Sequence, residues 1–473
     1  MLTPRANRRT ARLAALVALG AVAIALAGCG SHEDMRDRYV VEKMWWRAAK
    51  LEYAMRENPD LATDEMLARV EDAHRQIVVA FPPPEGDIAS ADIDVQMIAT
   101  ITARSRFQLA ALAANRGDLN EAASICDGIV EAYGSSRIEA VEALSTLAQY
   151  RRRADDWDGA VAAYASLMET WEPATHRDSQ PDLRILGAPL TVAAGYEVVG
   201  EPARAAEWYE RARAYYAKWI AEWPDSPTAE AAASRRAESF AMERRWGEAA
   251  RAFVDFDERY GNERNRAGVW LTLGDIYERH LDLQGRSREY YSKVLDQYGE
   301  EAPGATAAIA VARMDVDTGR HAEAQEILEV TIARFPDDDP IVATALNLLG
   351  VSHEMEGQWD KALTRFTELW RDYPTTMYGL SAPLHIVGHY EEAGESGAAQ
   401  SALVKAADHY ERVARDYVGT PAEMVAMNHL FEVRVRQESW DEAEAVLADV
   451  ESRHPEEEWV DAARDRLASL KGE

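Results

Sequence analysis

Leu346-Asn-Leu-Leu349-Gly350, followed by Gly357-Gln-Trp-Asp-Lys-Ala362-Leu-Thr-Arg-Phe366-Thr-Glu-Leu369 and closed by Tyr373-Pro374, decides the fold of this chain. Apolar residues three and four apart on both sides of Gly357 give two helices, each with one buried face. The small residues Gly350 and Ala362 mark where the two helices cross most closely. Gly357 supplies the tight turn between them, and Pro374 stops the second.

The pattern recurs along the chain. Gly319-Arg-His-Ala-Glu-Ala324 leads to Leu328 and Phe335-Pro336, and Gly200-Glu-Pro-Ala-Arg-Ala205 leads to Tyr209 and Ala212. Trp157-Asp-Gly-Ala160, Trp246-Gly-Glu-Ala249 and Trp440-Asp-Glu-Ala443 open similar second helices, as do the segments Gly117 to Ala122 and Gly394 to Ala399. A ninth copy carries Trp270-Leu-Thr-Leu273-Gly274, but its second half slips by one residue and puts Ser287 where the others have alanine. The anchors lie 37 to 45 residues apart. A glycine is expected ahead of each second helix. A helix pair cannot bury its apolar face alone, so neighbouring pairs must stack.

These residues resemble the tetratricopeptide repeat. The resemblance implies an all-α, right-handed helical solenoid of about nine to ten helix pairs, with first helices lining the inner wall. The long period, and closing phrases such as Trp223-Pro-Asp-Ser226 and Phe335-Pro-Asp-Asp338, are similar to a periplasmic subgroup of bacterial lipoproteins. That subgroup includes the D lipoprotein of the outer-membrane barrel-assembly machinery and the Tol-Pal-associated cell-division coordinator.

The amino terminus fits that subgroup. Arg5, Arg8, Arg9 and Arg12 precede an apolar run from Leu13 to Ala27, too short for a spanning helix and suited to a secretory signal. Its end, Leu26-Ala27-Gly28-Cys29, resembles a lipobox, which implies cleavage before Cys29 and acylation of that residue. Gly30 follows, where the proteobacterial rule for inner-membrane retention expects aspartate, so the implied location is the periplasmic face of the outer membrane. Residues 1–28 are then a signal peptide and 29–38 a linker. Residues 39–84 form a divergent helical pair, 95–455 the array with an inserted loop or joint at 172–190, and 456–473 a capping helix.

Of 473 residues, 82 are acidic and 52 basic, a net charge of −30, which argues against nucleic acid as a partner. Without residues 1–28 the chain keeps all 82 acids and 48 bases, so its own surface is not expected to adhere to anionic lipid. Attachment is expected from the acyl chains instead. Two cysteines make no disulfide scaffold, and Cys126 reads as a buried free thiol.

No phosphate loop, nucleophile elbow or His-Glu-x-x-His motif occurs. His385 and His389 share a helix face, but no third metal ligand is specified. The array leaves no room for a catalytic domain. A non-enzymatic chain without metal or cofactor is expected, with Arg151-Arg152-Arg153 a solvated helix end. Near the anchor, Val40, Met44, Ala48, Leu51 and Met55 form a candidate buried stripe. Trp45 flanks it and Trp46 projects further off; both are expected to pack in the first helix pair, the alternative being an indole at the membrane interface.

Aligned on the anchors, the inward position three residues before the turn holds Ala114, Arg152, Glu197, Ala241, Glu278, Val316, Glu354, Glu391 and Val435. Four glutamates stand where the overall acid content would supply between one and two. Glutamate in a last helical turn opposes the macrodipole. With Asp275, Arg313 and Asn347 on neighbouring inward positions, the column points to a groove for basic or mixed-charge protein segments. The expected function is a lipid-anchored periplasmic scaffold for protein or peptide partners in envelope assembly: outer-membrane protein biogenesis, secretion or division. The alternatives are a regulatory or enzyme-associated repeat protein, and an inner-membrane lipoprotein serving another complex.

Overall fold

The computed structural model describes residues 32–57, 63–83, 88, 91–133, 138–170, 183–454 and 459–472. The proposed signal peptide and Cys29 lie outside the described residues. Among the described residues there are twenty-one α-helices and no strand. The chain forms two compact units, divided between Ala252 and Phe253.

The first unit contains α1 (His32–Glu57), α2 (Asp64–Ala80), α3 (Ile93–Asn115), α4 (Leu119–Tyr133) and α5 (Ile138–Arg153). It continues through α6 (Trp157–Thr170), α7 (Leu183–Val198), α8 (Pro202–Glu222) and α9 (Pro227–Met242). The division falls within α10 (Trp246–Tyr260). In the second unit, α11 (Arg266–Asp275) runs into a π turn, Ile276–His280, followed by α12 (Gln284–Tyr298), α13 (Ala302–Asp317) and α14 (His321–Arg334). Then come α15 (Asp339–Met355), α16 (Trp359–Asp372), α17 (Met377–Glu392), α18 (Ser396–Asp416), α19 (Pro421–Arg436), α20 (Trp440–Arg453) and α21 (Trp459–Lys471).

Odd-numbered helices are first helices and even-numbered ones second helices, giving ten pairs with α21 beyond them. Within each unit every first helix also packs on the next first helix, as α3 does on α5 and α13 on α15. Grooves open between consecutive second helices in the second unit, at α12/α14, α16/α18 and α18/α20. The anchors Ala122, Ala160, Ala205, Ala249, Ala324, Ala362, Ala399 and Ala443 are all buried, and Ser287 takes the same place on α12. Opposite them, a Cβ on Gly350 would meet the Phe366 ring at 2.5 Å, and one on Gly274 would meet Tyr291 at 2.5 Å.

Each anchor follows a residue of positive φ by five positions: Gly117, Asp155, Gly200, Arg244, Asp282, Gly319, Gly357, Gly394 and Glu438. The expected glycine is therefore replaced at four of nine turns. What the turns share is hydrogen bonding. The amide after the positive-φ residue donates to a carbonyl five residues back, as Gln358 does to His353 at 2.8 Å and Ser439 to Arg434 at 3.0 Å. The π turn explains the ninth copy's slip. Leu281 N donates to Ile276 O at 3.1 Å, an i to i+5 bond that adds one residue, and the turn amide of Leu283 then reaches six residues back, to Tyr277. The closing phrases are also starting signals. Ser226 and Thr376 fold back onto the carbonyls of Trp223 and Tyr373, and their hydroxyls cap α9 and α17.

Three expectations need correction. Residues 183–190 of the expected loop are helical, with Pro189 inside α7. A proline there costs about 3 kcal/mol, but Ile185, Leu186, Leu190, Val192 and Ala193 bury the face of α7 and outweigh it. The division between units lies within α10 rather than at 172–190. In α1, helix begins at His32, inside the expected linker, and Val41 is buried while Val40 is 38% exposed.

Candidate functional site

In the second unit the first helices build a wall. Leu271, Asp275 and Arg279 come from α11 and its π turn, Ile309 and Arg313 from α13, Leu348 from α15 and Tyr378 from α17, with Tyr291 of α12 behind them. They line a groove of about 550 Å³. Its lining combines apolar side chains with charged ones that are paired. Arg279 Nε lies 2.6 Å from Asp275 Oδ1, one turn apart. Arg313 donates to both oxygens of Glu278, at 2.7 and 3.0 Å. The Tyr291 hydroxyl donates to Glu278 at 3.2 Å. Burial, followed by the Glu278 charge, holds that phenol above its ordinary range. Glu278 in turn holds the Arg313 guanidinium above its usual value. The two planar groups match in a bidentate pair that fixes the arginine at the groove.

The structure brings Asp275 and Arg313 to this groove, with Glu278 behind Arg313. Asn347 is half-buried on α15 and is absent from the groove lining. Glu354 accepts from His385 Nε2 at 2.7 Å and His389 Nδ1 at 2.6 Å, so the two histidines meet a carboxylate on the preceding first helix. Among the described residues, no group of three or more metal-ligating side chains is arranged to hold a metal ion. Glu391 accepts from Arg436 Nη1 at 2.9 Å. Glu197 lies in the first unit, exposed near the end of α7, where its charge adds to burial in raising the Tyr209 phenol.

Three of the four column glutamates already have partners within the fold. Glu278, Glu354 and Glu391 each engage a side chain on the following first helix, α13, α17 or α19. Acid on one first helix meets guanidinium or imidazole on the next, offsetting the unfavourable macrodipole position. The turn also shifts the indexing: counted from Asp282, the third residue before the turn is Arg279, and Glu278 aligns with Glu354 only when counted from Gly274. Sequence reasoning missed Arg436 and the acid-binding role of the histidines. The signal available was their separation from the glutamates, 31 to 45 residues, close to the repeat spacing.

A second buried acid was also missed. Asp315 on α13 is fully buried and accepts from Arg288 at 2.6 and 3.0 Å and from Arg320 at 2.6 Å. Burial pushes this carboxyl up, but the hydrogen bonds and charges of the two arginines outweigh it and leave it below the usual range. It ties α12, through Arg288, to the residue that precedes α14, Arg320. In the first unit, Cys126 is buried and unpaired, and burial pushes its thiol up to about 12, so it is not poised as a nucleophile. Of the Arg151–Arg153 run, Arg151 pairs with Asp127 and Asp156, each at 2.8 Å, while Arg152 and Arg153 are exposed.

Residues 345–376, which span the decisive stretch, match the family model of the tetratricopeptide repeat. These residues are one tetratricopeptide repeat. The same turn and anchor geometry extends from that repeat through both units. No curated protein sequence matches the chain. Solved structures similar to it include YrrB, a tetratricopeptide-repeat protein with an unusual peptide-binding site, at 17% identity and a TM-score of 0.30, covering 41% of this chain and 90% of YrrB. PilW, a type IV pilus biogenesis factor, is 15% identical with a TM-score of 0.33, over 51% of this chain and 98% of PilW. A tetratricopeptide-repeat protein from Parabacteroides merdae is 12% identical with a TM-score of 0.32, over 66% of this chain and 99% of that one.

Proposed function

We propose that this chain is a lipid-anchored, periplasm-facing scaffold that receives protein or peptide segments along its first helices, in the service of envelope assembly. The observation that carries the reading is the groove of the second unit, where an apolar strip of Leu271, Ile309 and Leu348 lies beside Arg313. Glu278 holds that guanidinium in place, yet the Arg313 side chain remains 37% exposed. A prepositioned cation beside an apolar strip suits an extended segment with an apolar side chain and an acidic group or carbonyl. With the column glutamates already engaged, the segment is mixed in charge rather than simply basic. The lipobox at Leu26 to Cys29 supports the anchor, and Gly30 supports the outer membrane.

A photo-crosslinking residue at Tyr378 is expected to capture a discrete partner in cells. The same residue at Glu289, exposed on the second helix α12, is the control. Equal capture from both positions would remove the groove from the reading. Cys29→Ser is expected to release the protein from the membrane fraction or leave an uncleaved precursor. Unchanged retention would remove the anchor.

A further inference from the structure

The outward face of α1 differs from the rest of this acidic chain. Tyr39, Trp46 and Tyr53 recur every seven residues and are 64%, 61% and 60% exposed. Lys43 and Lys50 stand between them and are also exposed, with Arg36 and Arg47 along the same side. Lys43 Nζ lies 5.8 Å from the Tyr39 ring centroid and Lys50 Nζ 5.3 Å from that of Trp46. At 3.6 residues per turn these positions fall on one face, about 26 Å long from Arg36 to Tyr53. Two acids border the strip: Glu42, paired with Arg38 at 2.9 Å, and Glu57, exposed one turn beyond Tyr53.

Among the described residues, Tyr39, Trp46 and Tyr53 stay exposed on this face. α1 packs through the opposite side, where Val41 and Ala48 are buried and Met44 and Trp45 pack in the cluster of Ile77 and Ile101. Trp45 stands edge-on to His74 at 5.4 Å, and His74 lies 2.8 Å from Glu52. The structure therefore separates the adjacent indoles: Trp45 belongs to packing, and Trp46 projects among cations.

We propose that this face of α1 lies against an anionic bilayer, with Trp46, Tyr39 and Tyr53 at headgroup level and Lys43 and Lys50 on lipid phosphates. Three exposed aromatic residues interleaved with ammonium groups suit an interface whose outer layer is charged and whose inner layer is apolar. Each cation near an anionic surface adds attraction that salt screens. Four residues separate the apolar run ending at Ala27 from His32, so whatever holds that run or Cys29 in a bilayer brings α1 to its surface. The inference rests on the anchored reading only for that delivery. Net charge repels the rest of the chain from the same lipid, so the cationic face determines which side approaches.

The test uses the intact chain in phosphatidylcholine vesicles with brominated acyl chains, with and without phosphatidylglycerol. Tryptophan emission is compared between the native chain and Trp46→Phe. In phosphatidylglycerol vesicles the native chain is expected to show a quenched component that Trp46→Phe lacks. The Lys43→Glu/Lys50→Glu variant is expected to lower the ratio of docked to undocked face roughly tenfold or more, and high salt to act in the same direction. All three substituted side chains lie off the packing face, and unchanged circular dichroism checks the fold. Equal quenching of the native chain and Trp46→Phe, in protein that remains vesicle-bound, overturns the proposal while leaving the anchor standing. Retained Trp46 quenching in Cys29→Ser supports the face and shows that it docks without the acyl chains. Shielding of Trp46 from aqueous iodide in lipid-free protein, scaling with protein concentration, overturns the proposal in favour of a second copy as occupant.

Discussion

Arg244 and Glu438 hold positive φ, at 59° and 56°, in turns where Gly319, Gly357 and Gly394 do the same without a side chain. A left-handed non-glycine residue costs roughly 1–2 kcal/mol, reduced for aspartate, whose short side chain bonds locally. Asp155 and Asp282 are therefore the milder substitutions, and Arg244 and Glu438 the costlier ones. Glu438→Gly is expected to stabilise the second unit by about 0.5–1 kcal/mol, after glycine's own entropic cost. A lower denaturant midpoint than the native chain would show that the turn needs the glutamate side chain. Gly350 gives the opposite case. Its missing Cβ is where the Phe366 ring sits, and the ring is fully buried and unable to retreat. Gly350→Ala is expected to cost about 1–3 kcal/mol by overpacking, read as a lower denaturant midpoint.

Between elements, polar contacts carry information that apolar spacing cannot. Arg313 on α13 meets Glu278 on the π turn, so Arg313→Ala is expected to cost about 2 kcal/mol by leaving a nearly buried carboxylate without its cation, with the Tyr291 hydroxyl still donating to it. Adding Glu278→Gln should recover part of that loss, and a double-mutant cycle reads the coupling. His409 on α18 shows the pH side of the same chemistry. Burial and then the Arg412 charge push its imidazole down to about 4, and Arg412, which can only donate, bonds Nδ1 at 3.1 Å. As pH falls below about 6.5 the unfolded chain binds a proton that the fold refuses, so stability is lost until about pH 4 and no further at this site. The loss is expected to reach about 3 kcal/mol. His409→Phe should flatten that part of the midpoint-against-pH curve, and an unchanged slope would place the titration elsewhere. The helix pairs were legible because Ala362, Phe366 and Leu369 repeat a local pattern. The engagement of Glu354 by His385 and His389 was not, because it depends on which first helix lies beside α15. The one-residue slip before Ser287 was visible as an irregularity, and only the i to i+5 bond at Ile276 gives it a cause.

For the whole molecule, stacking of neighbours predicts how far damage spreads. Each helix within a unit packs on its neighbours and, for first helices, on the next first helix, so no single core spans the chain. Ala362 is fully buried on α16 in the cluster that holds Leu346, Phe366, Leu380 and Ile386. Ala362→Leu adds three carbons where α15 and α16 cross, and the fixed rings leave few rotamers to receive them. The expected cost is about 1–3 kcal/mol, concentrated in α15 to α17. Amide hydrogen exchange reads this directly. Exchange should accelerate across residues 339–392, less through α13, α14 and α18, and stay at the native rate in α3 to α8 of the first unit. In a protein with one cooperative core, the same substitution would accelerate exchange everywhere by a similar factor. Uniform acceleration from Ile93 to Arg453 would therefore refute nearest-neighbour stability here, even with the repeat geometry unchanged.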